Sequence, residues 1–190
     1  MVVVGVIVGS TRPGRVGAQV AGWVQQRAGL VPVPAVEARL LDLVEIGLPF
    51  LDEEAHPSER QYTQRHTQDW SRQVEALDAV LLVTPEYNYS FPAPLKNALD
   101  FLSQEWQRKP VGMIGYGMTS SGTRAVAALA PVVVALGMLN LGAVFLPLRR
   151  RVDSAGVFRP VPDDDESLDD LLRNVVELAM VLRPTQSIAP

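Results

Sequence analysis

The sequence predicts an α/β domain in which a five-stranded parallel sheet carries helices on both faces. Apolar runs rich in β-branched residues alternate along the chain with segments in which apolar residues recur at helical spacing. Some runs, such as residues 79–84, are continuously apolar, as is typical of strands that are buried on both faces of a sheet. Such an alternation in one short chain indicates a doubly wound parallel sheet.

The same patterns place the elements in order along the chain. Helices are expected to start near Val16, at Ser58 as an N-cap, and at Thr123. Trp70 recurs with the apolar positions of the second helix, so we expect it in the core. The predicted strands are residues 2–8, 37–44, 79–84, 110–116 and 141–148. The helix that follows the third strand is expected to end near residue 103. A last helix is expected to have the acidic turn at residues 163–166 at its positive end.

Composition limits the classes of protein that this chain can represent. The 190 residues suffice for one well-packed domain, which we place over residues 1–190. A net charge of −4 gives no basic field for nucleic acid and no attraction to acidic membranes. With no cysteine and 2 histidines we expect no disulfide, no thiolate chemistry and no metal site. The apolar start is short and lacks a basic leader, so a cytoplasmic protein is expected.

Two segments suggest surface features. Residues 123–136 are apolar nearly all round the predicted helix, and such a helix needs a cover on its outer side. We therefore expect it at a subunit interface, in a homodimer or a homotetramer. Residues 149–162 contain three consecutive arginines and two prolines, and they are expected to form an irregular excursion on the surface.

Loop 1 (residues 9–17) follows the first strand with the sequence Gly9-Ser10-Thr11-Arg12-Pro13-Gly14-Arg15-Val16-Gly17. A helix that begins here leaves backbone N–H groups unpaired, its dipole favours negative charge, and an arginine can hold two phosphate oxygens. The loop suits a phosphate, although on its own it is equally compatible with a plain strand-to-helix turn. Arg15 and Val16 replace the lysine and the Ser or Thr of a Walker A loop, which disfavours triphosphate chemistry.

Loop 2 (residues 85–91) follows the third strand and opens a polar and aromatic stretch that packing alone does not explain. The stretch is Pro85-Glu86-Tyr87-Asn88-Tyr89-Ser90-Phe91-Pro92-Ala93-Pro94-Leu95-Lys96-Asn97-Ala98-Leu99-Asp100. Open α/β sheets bind ligands beyond the carboxyl ends of their strands, where the strand order reverses. In the order 2-1-3-4-5 that reversal lies between strands one and three, so loops 1 and 2 are expected to face one crevice.

These two motifs together resemble the NADPH-dependent FMN reductase family, which also includes quinone, azo-dye and chromate reductases. The resemblance extends over nearly the whole order of strands and helices. It implies a single flavodoxin-like domain with the strand order 2-1-3-4-5, FMN as cofactor and NADPH as hydride donor. Some relatives carry an Asn at the position of Gly17, where this chain offers only its backbone, and Arg15 is expected to compensate by charge.

The resemblance also assigns the cofactor contacts. It places the FMN phosphate on loop 1, at Ser10, Arg12, Arg15 and the backbone of Val16 and Gly17. It places the flavin ring beside loop 2, at Pro85, Glu86, Tyr87, Asn88 and Tyr89, and beside loop 3 (residues 116–122), at Gly117, Ser120, Ser121 and Gly122. The plain structural alternative stays open for loop 2, in which the tyrosines pack the loop and Asn88 forms a turn.

The implied activity is that of an oxidoreductase, in which FMN takes hydride from NADPH and passes electrons to a quinone, an azo compound, a metal oxyanion or free flavin. No side chain has to act as a catalytic acid, base or nucleophile, and Arg124 is expected to be available for a 2′-phosphate. Two alternatives stay open. A non-catalytic electron carrier of the flavodoxin type is disfavoured by the two arginines of loop 1, and a nucleotide-binding phosphotransferase is disfavoured by Val16.

Overall fold

A computed structural model of the chain describes residues 1–30 and 35–186, with side chains up to residue 183. The sheet consists of β1 (Val2–Val8), β2 (Val36–Asp42), β3 (Ala79–Pro85), β4 (Pro110–Gly117) and β5 (Leu139–Pro147). All neighbouring strands are parallel, and their order is β2-β1-β3-β4-β5. The predicted flavodoxin-like fold and its strand order are therefore confirmed.

Helices cover both faces of this sheet. They are α1 (Gly17–Ala28), α2 (Leu43–Ile46), α3 (Arg65–Glu75), α4 (Ala93–Asp100), α5 (Thr123–Ala135), α6 (Leu148–Arg151) and α7 (Pro162–Gln186). Successive residues of β1 point to opposite faces, so Val4 and Val6 pack with α1 and α7, whereas Val3 and Ile7 pack with α3, α4 and α5. Across the described ranges, no helix combines the length and the apolar character needed to cross a membrane.

The second strand is shorter than residues 37–44, and that prediction is wrong at its end. The strand stops at Asp42, whose carboxylate accepts a hydrogen bond from the backbone N–H of Val44 at 3.0 Å. An aspartate in this position caps a helix start. The chain therefore enters α2 at Leu43 instead of continuing the strand.

The predicted start of the next helix is also wrong. Ser58 lies in a short 3₁₀ turn, Pro57–Glu59, and α3 begins only at Arg65. The carboxylate of Glu53 accepts hydrogen bonds from the backbone N–H groups of Thr63 and Gln64, at 2.9 and 3.0 Å. These bonds hold the chain in a turn before the helix begins. Trp70 is buried as expected, and its indole donates to the carbonyl of Ala98 at 2.9 Å.

The remaining differences concern boundaries. The fourth helix ends at Asp100 instead of near residue 103, and β5 begins at Leu139 instead of residue 141. Residues 149–162 are less irregular than expected, because they include most of α6 and an antiparallel bridge between Val152 and Phe158. On α5 the side chain of Val134 is 60% exposed, and the subunit interface expected there stays a prediction.

Candidate functional site

Loops 1 and 2 meet beyond the carboxyl ends of β1 and β3. The hydroxyl groups of Ser10 and Tyr87 share a hydrogen bond of 2.7 Å, although these residues lie 77 positions apart. Loop 2 is also fixed to β4, because the backbone N–H of Glu86 donates to the carbonyl of Tyr116 at 3.0 Å. The crevice that the strand order predicts is therefore present, and loop 3 forms its third side.

Loop 1 leads into α1 at this crevice, and its last residues do not cap the start of that helix. Val16 is the N-cap residue, and it makes no side-chain capping bond. Within the described chain, the backbone N–H groups of Gly17 and Ala18 have no hydrogen-bond partner. Arg12, in the same loop, is exposed. The unpaired N–H groups and the arginine give this end of α1 a positive potential, which suits an anion.

Arg15 occupies a more constrained position than the sequence suggests. Its Nη2 donates to the carboxylate of Asp42 at the end of β2, and the two side chains are only 18% and 8% exposed. Its Nε is buried and has no partner among the residues that the structure describes. Asp42 thus balances the charge of Arg15 and fixes its guanidinium, while the buried Nε–H is left without a partner in the described chain. Sequence reasoning missed Asp42, although its place at the carboxyl end of a strand next to β1 was a usable signal.

Tyr116 is the second buried side chain here with an unused polar atom. It is 4% exposed, and its hydroxyl has no partner in the described part of the chain. A Cβ atom added to Gly17 would lie 2.5 Å from that hydroxyl oxygen, so the tyrosine reaches the first residue of α1. Burial raises the pKa of Tyr116 well above its usual value, and the nearby Tyr87 adds to the effect. Tyr116 was expected only as the start of loop 3, and its side chain belongs with loop 1.

Loop 2 is built around a tight two-residue turn. Tyr87 and Ser90 exchange two backbone hydrogen bonds, at 2.8 and 2.9 Å, and the two residues between them have positive φ. The φ values are 48° for Asn88 and 70° for Tyr89, which is the pattern of a type I′ turn. Asn88 therefore has a structural role as a turn residue. Tyr89 does not pack inside the loop, because its side chain is 70% exposed.

Glu86 links loop 2 to loop 3. Its carboxylate accepts hydrogen bonds from the Ser120 hydroxyl, from the backbone N–H of Arg124 at 3.2 Å and from the guanidinium of Arg124 at 3.3 Å. Burial acts to raise the pKa of Glu86, but the bonds from Ser120 and Arg124 outweigh it and hold the pKa below its ordinary value. Arg124 also lies 3.9 Å from the centre of the Tyr89 ring. Its guanidinium is therefore engaged, in contrast to the free group expected for a 2′-phosphate.

Loop 3 returns sharply to the start of α5. Ser121 and Gly122 have φ of 55° and 86°, and a Cβ atom on Gly122 would lie 2.3 Å from the backbone N of Tyr116. Only glycine allows the chain to pass this close to β4. Gly117 faces the same contact, since its Cβ would lie 3.1 Å from the N of Gly122. The glycines therefore shape loop 3, and Ser120 contributes its hydroxyl to Glu86.

Two cavities adjoin in this crevice. One has a volume of 270 Å³ and is bounded by Arg12, Arg15, Val16 and Tyr116, together with Pro85 and Tyr87. The other has a volume of 340 Å³ and is bounded by Asn88, Tyr89, Thr119 and Ser120. Both include Glu86, Gly117 and Met118 in their walls, so they form one cleft that runs from loop 1 to loop 3. The structure brings 12 of the predicted cofactor residues into or beside this cleft: Ser10, Arg12, Arg15, Val16, Gly17, Pro85, Glu86, Tyr87, Asn88, Tyr89, Gly117 and Ser120.

A larger cavity, of 560 Å³, lies on the other side of loop 1. Its walls are mostly apolar and include Thr11, Val44, Phe50 and Pro94. None of the predicted cofactor residues lines it. Size alone therefore does not identify the cleft, whose distinguishing feature is the unpaired donors at one end.

The sequence and the fold of this chain are similar to those of known proteins. Residues 2–151 match the family model described as NADPH-dependent FMN reductase. The NAD(P)H-dependent FMN reductase LOT6 of Saccharomyces cerevisiae is 35% identical over 150 residues, which cover 74% of this chain and 78% of the relative. A 2-hydroxy-1,4-benzoquinone reductase of a Burkholderia species is 39% identical over 77 residues, which cover 34% of this chain and 42% of the relative.

Among solved structures, a flavoenzyme NAD(P)H:(acceptor) oxidoreductase from Paracoccus denitrificans has a TM-score of 0.73 to this chain at 23% identity. The superposition covers 95% of this chain and 98% of the other. At this identity the likeness concerns the fold alone.

Proposed function

Because the chain belongs to the NADPH-dependent FMN reductase family, we propose that it is an FMN-dependent oxidoreductase that uses NADPH or NADH to reduce a quinone. The proposal covers one domain over residues 1–190, with a small molecule as electron acceptor. The acceptor class rests on a relative named for the reduction of a hydroxylated benzoquinone. Azo compounds, metal oxyanions and free flavin are the other acceptors to be compared in the same assay.

The unpaired donors beside loop 1 are the observation that carries the proposal. The N–H groups of Gly17 and Ala18, at the start of α1, have no partner in the described chain. The same holds for the buried Nε of Arg15, a residue that lines the cleft together with Val16. A phosphate monoester supplies several acceptor oxygens and a negative charge, and both match this set of donors. The residues present therefore fit the phosphate of FMN. In the proposal Ser10, Arg12, Arg15, Val16 and Gly17 hold it, as the resemblance implies.

The rest of the cleft is suited to orienting a flat ring. Pro85, Tyr87 and Gly117 line it. The Tyr87 hydroxyl is engaged with Ser10, and the backbone of loop 2 is bonded internally and to β4. Glu86 is bound to Ser120 and Arg124, so its carboxylate is not free to take a proton from a substrate. Bound FMN supplies the hydride and electron chemistry, and the side chains position the cofactor and limit the access of water.

The direct test is flavin binding followed by turnover. The purified chain, supplied with FMN, is expected to bind it and to oxidise NADPH or NADH faster when a benzoquinone is added. The matched control contains the nucleotide and FMN without a quinone, which separates acceptor reduction from reaction with oxygen. A chain that binds no FMN would contradict the proposal. A chain that binds FMN but leaves both nucleotides unoxidised would be an electron carrier instead.

A further inference from the structure

Tyr116 has a buried hydroxyl with no hydrogen-bond partner among the residues that the structure describes. The residue lies in β4, and it packs in the same core cluster as Val8 and Val20, with 4% of its surface exposed. Burial raises the pKa of Tyr116, so the hydroxyl stays protonated at neutral pH and remains a donor. A buried donor without an acceptor destabilises a fold, so its presence requires an explanation.

Gly17 leaves the space that this hydroxyl occupies. A Cβ atom at position 17 would lie 2.5 Å from the Tyr116 oxygen and 3.4 Å from the ring carbon that bears it. Any larger residue at position 17 would push the hydroxyl away. The glycine thus lets the hydroxyl reach the first turn of α1, where the N–H groups of Gly17 and Ala18 lack partners in the described chain.

A second unpaired donor lies at the same place. The Nε of Arg15 is buried without a partner among the described residues, while Asp42 engages another nitrogen of the same guanidinium. Arg15 and Tyr116 line the same 270 Å³ cavity. Both unpaired atoms are hydrogen-bond donors at neutral pH, so a group with several acceptor oxygens would satisfy them together. The other tyrosine hydroxyl of this cavity, on Tyr87, is already bound to Ser10 at 2.7 Å.

We propose that the Tyr116 hydroxyl is a phosphate donor that makes the cleft prefer FMN to riboflavin. The inference rests on the proposed function, because it takes the phosphate to be that of FMN. The inference adds a binding residue on β4 to a phosphate site that, from the sequence, is expected on loop 1 alone. Since riboflavin shares the ring and lacks the phosphate, the contribution of this hydroxyl is confined to the difference between the two ligands.

The test compares both flavins in the Tyr116→Phe chain. We expect the dissociation constant for FMN to rise roughly tenfold to a hundredfold, as for a lost bond to a charged group, and that for riboflavin to stay unchanged. The ligand-free variant is expected to resist urea as well as the wild type or better, because it no longer buries an unpaired hydroxyl. Flavin fluorescence gives the affinities, and the urea midpoint gives the stability.

Tyr62→Phe is the matched control. It removes a tyrosine hydroxyl that donates to Pro57 and Glu105, away from the cleft, and it should leave the preference for FMN unchanged. If Tyr116→Phe keeps the wild-type preference, or weakens both flavins equally, the hydroxyl does not serve the phosphate and the inference is wrong. A wild-type chain that binds neither flavin would instead contradict the proposed function, and the inference would fall with it.

Gly17→Ala provides a second, independent variant. Its added Cβ displaces the hydroxyl, so it should reduce the preference for FMN about as much as Tyr116→Phe does. In the Tyr116→Phe background the nearest ring atom lies 3.4 Å away, an ordinary contact, so the alanine should cost little further affinity. If the losses of FMN affinity in the two single variants add fully in the double variant, the two residues act separately. That result would overturn the proposed role of Tyr116.

Discussion

Loops 1 and 2 border the same cleft, but they differ in how far their polar groups are satisfied. Loop 2 is satisfied from within the protein: Tyr87 and Ser90 bond to each other, and Glu86 is bound by Ser120 and Arg124. Loop 1 instead retains donors that have no partner in the part of the chain that the structure describes, and the Nε of Arg15 is one of them. Loop 2 therefore keeps its conformation without a ligand, whereas the donors of loop 1 are satisfied only when a ligand supplies an acceptor.

This difference separates two tasks in cofactor binding. A network with satisfied hydrogen bonds is rigid, and it defines the walls of a site for an uncharged ring. Unpaired donors at a helix start select an anion, because a buried donor gains most when it acquires a charged acceptor. We therefore expect substitutions in loop 2, and in loop 3 after Tyr116, to change stability and the binding of all flavins. Substitutions in loop 1 should instead change the preference for the phosphorylated flavin.

The largest effect is expected from Gly122→Ala in loop 3. A Cβ at this position would lie 2.3 Å from the backbone N of Tyr116, and the residue has a φ of 86°. Left-handed strain and a backbone clash together should lower the free energy of unfolding by about 3 kcal/mol or more. Urea denaturation of the ligand-free chain measures this loss.

Gly14→Ala in loop 1 is the matched control for that substitution. Gly14 also has a positive φ, 70°, but apart from its chain neighbours no described residue has an atom within 4 Å of the added Cβ. Only the conformational strain remains, so a loss of about 1 kcal/mol is expected. Equal losses in the two variants would mean that loop 3 is no more tightly constrained than loop 1, which would contradict the comparison.

The next largest effect is expected from Arg12→Ala. Arg12 is exposed and lines the cleft together with Arg15 and Val16. A charge-assisted bond to phosphate contributes roughly 1.5–3 kcal/mol. FMN should bind about tenfold to a hundredfold more weakly, whereas riboflavin should bind as before. Titration at low and high salt tests the electrostatic origin, because salt should reduce the difference.

Arg173→Ala is the control for a general loss of positive charge. Arg173 is exposed on α7 and pairs with Asp170 at 2.8 Å, so it should affect neither flavin. If Arg12→Ala weakened riboflavin as much as FMN, Arg12 would be shaping the cleft instead of binding phosphate. The distinction between the two loops would then be wrong.

The sequence predicted the sheet well because each strand is encoded locally, by runs of β-branched and apolar residues. It failed where single carboxylates decide the local structure. Asp42 ends β2 by capping α2, and Glu53 delays α3 by binding the N–H groups that precede it. Neither bond leaves a periodic pattern, so neither was visible in the spacing of apolar residues.

For the site, strand order sufficed to predict that loops 1 and 2 meet. It could not predict which side chains pair across elements. Ser10 and Tyr87 are 77 positions apart, and Arg15 and Asp42 are 27 apart. Tyr116 is the sharpest case, because only the missing side chain of Gly17 explains where its hydroxyl lies. Such pairs depend on the distance between backbones, which a sequence pattern does not contain.

The smallest effect is expected from Glu86→Gln, which weakens the link between loops 2 and 3. The carboxylate is 10% exposed and accepts bonds from Ser120 and Arg124, so its loss should cost about 1 kcal/mol of stability at neutral pH. FMN and riboflavin should weaken by the same modest factor, because the ring walls loosen while the phosphate donors stay intact. Urea denaturation and flavin titration measure the two effects.

The pH dependence of that variant gives the decisive control. The pKa of Glu86 is lower in the folded chain than its ordinary value of 4.5. Its contribution is therefore fully present above about pH 4.5, and it is lost as the pH falls through the folded-state pKa. The stability difference between wild type and Glu86→Gln should shrink in that acidic range. A carboxylate that only holds loops 2 and 3 together must affect the binding of FMN and of riboflavin alike. A change in the preference between the two flavins in Glu86→Gln would therefore mean that loop 2 takes part in phosphate recognition.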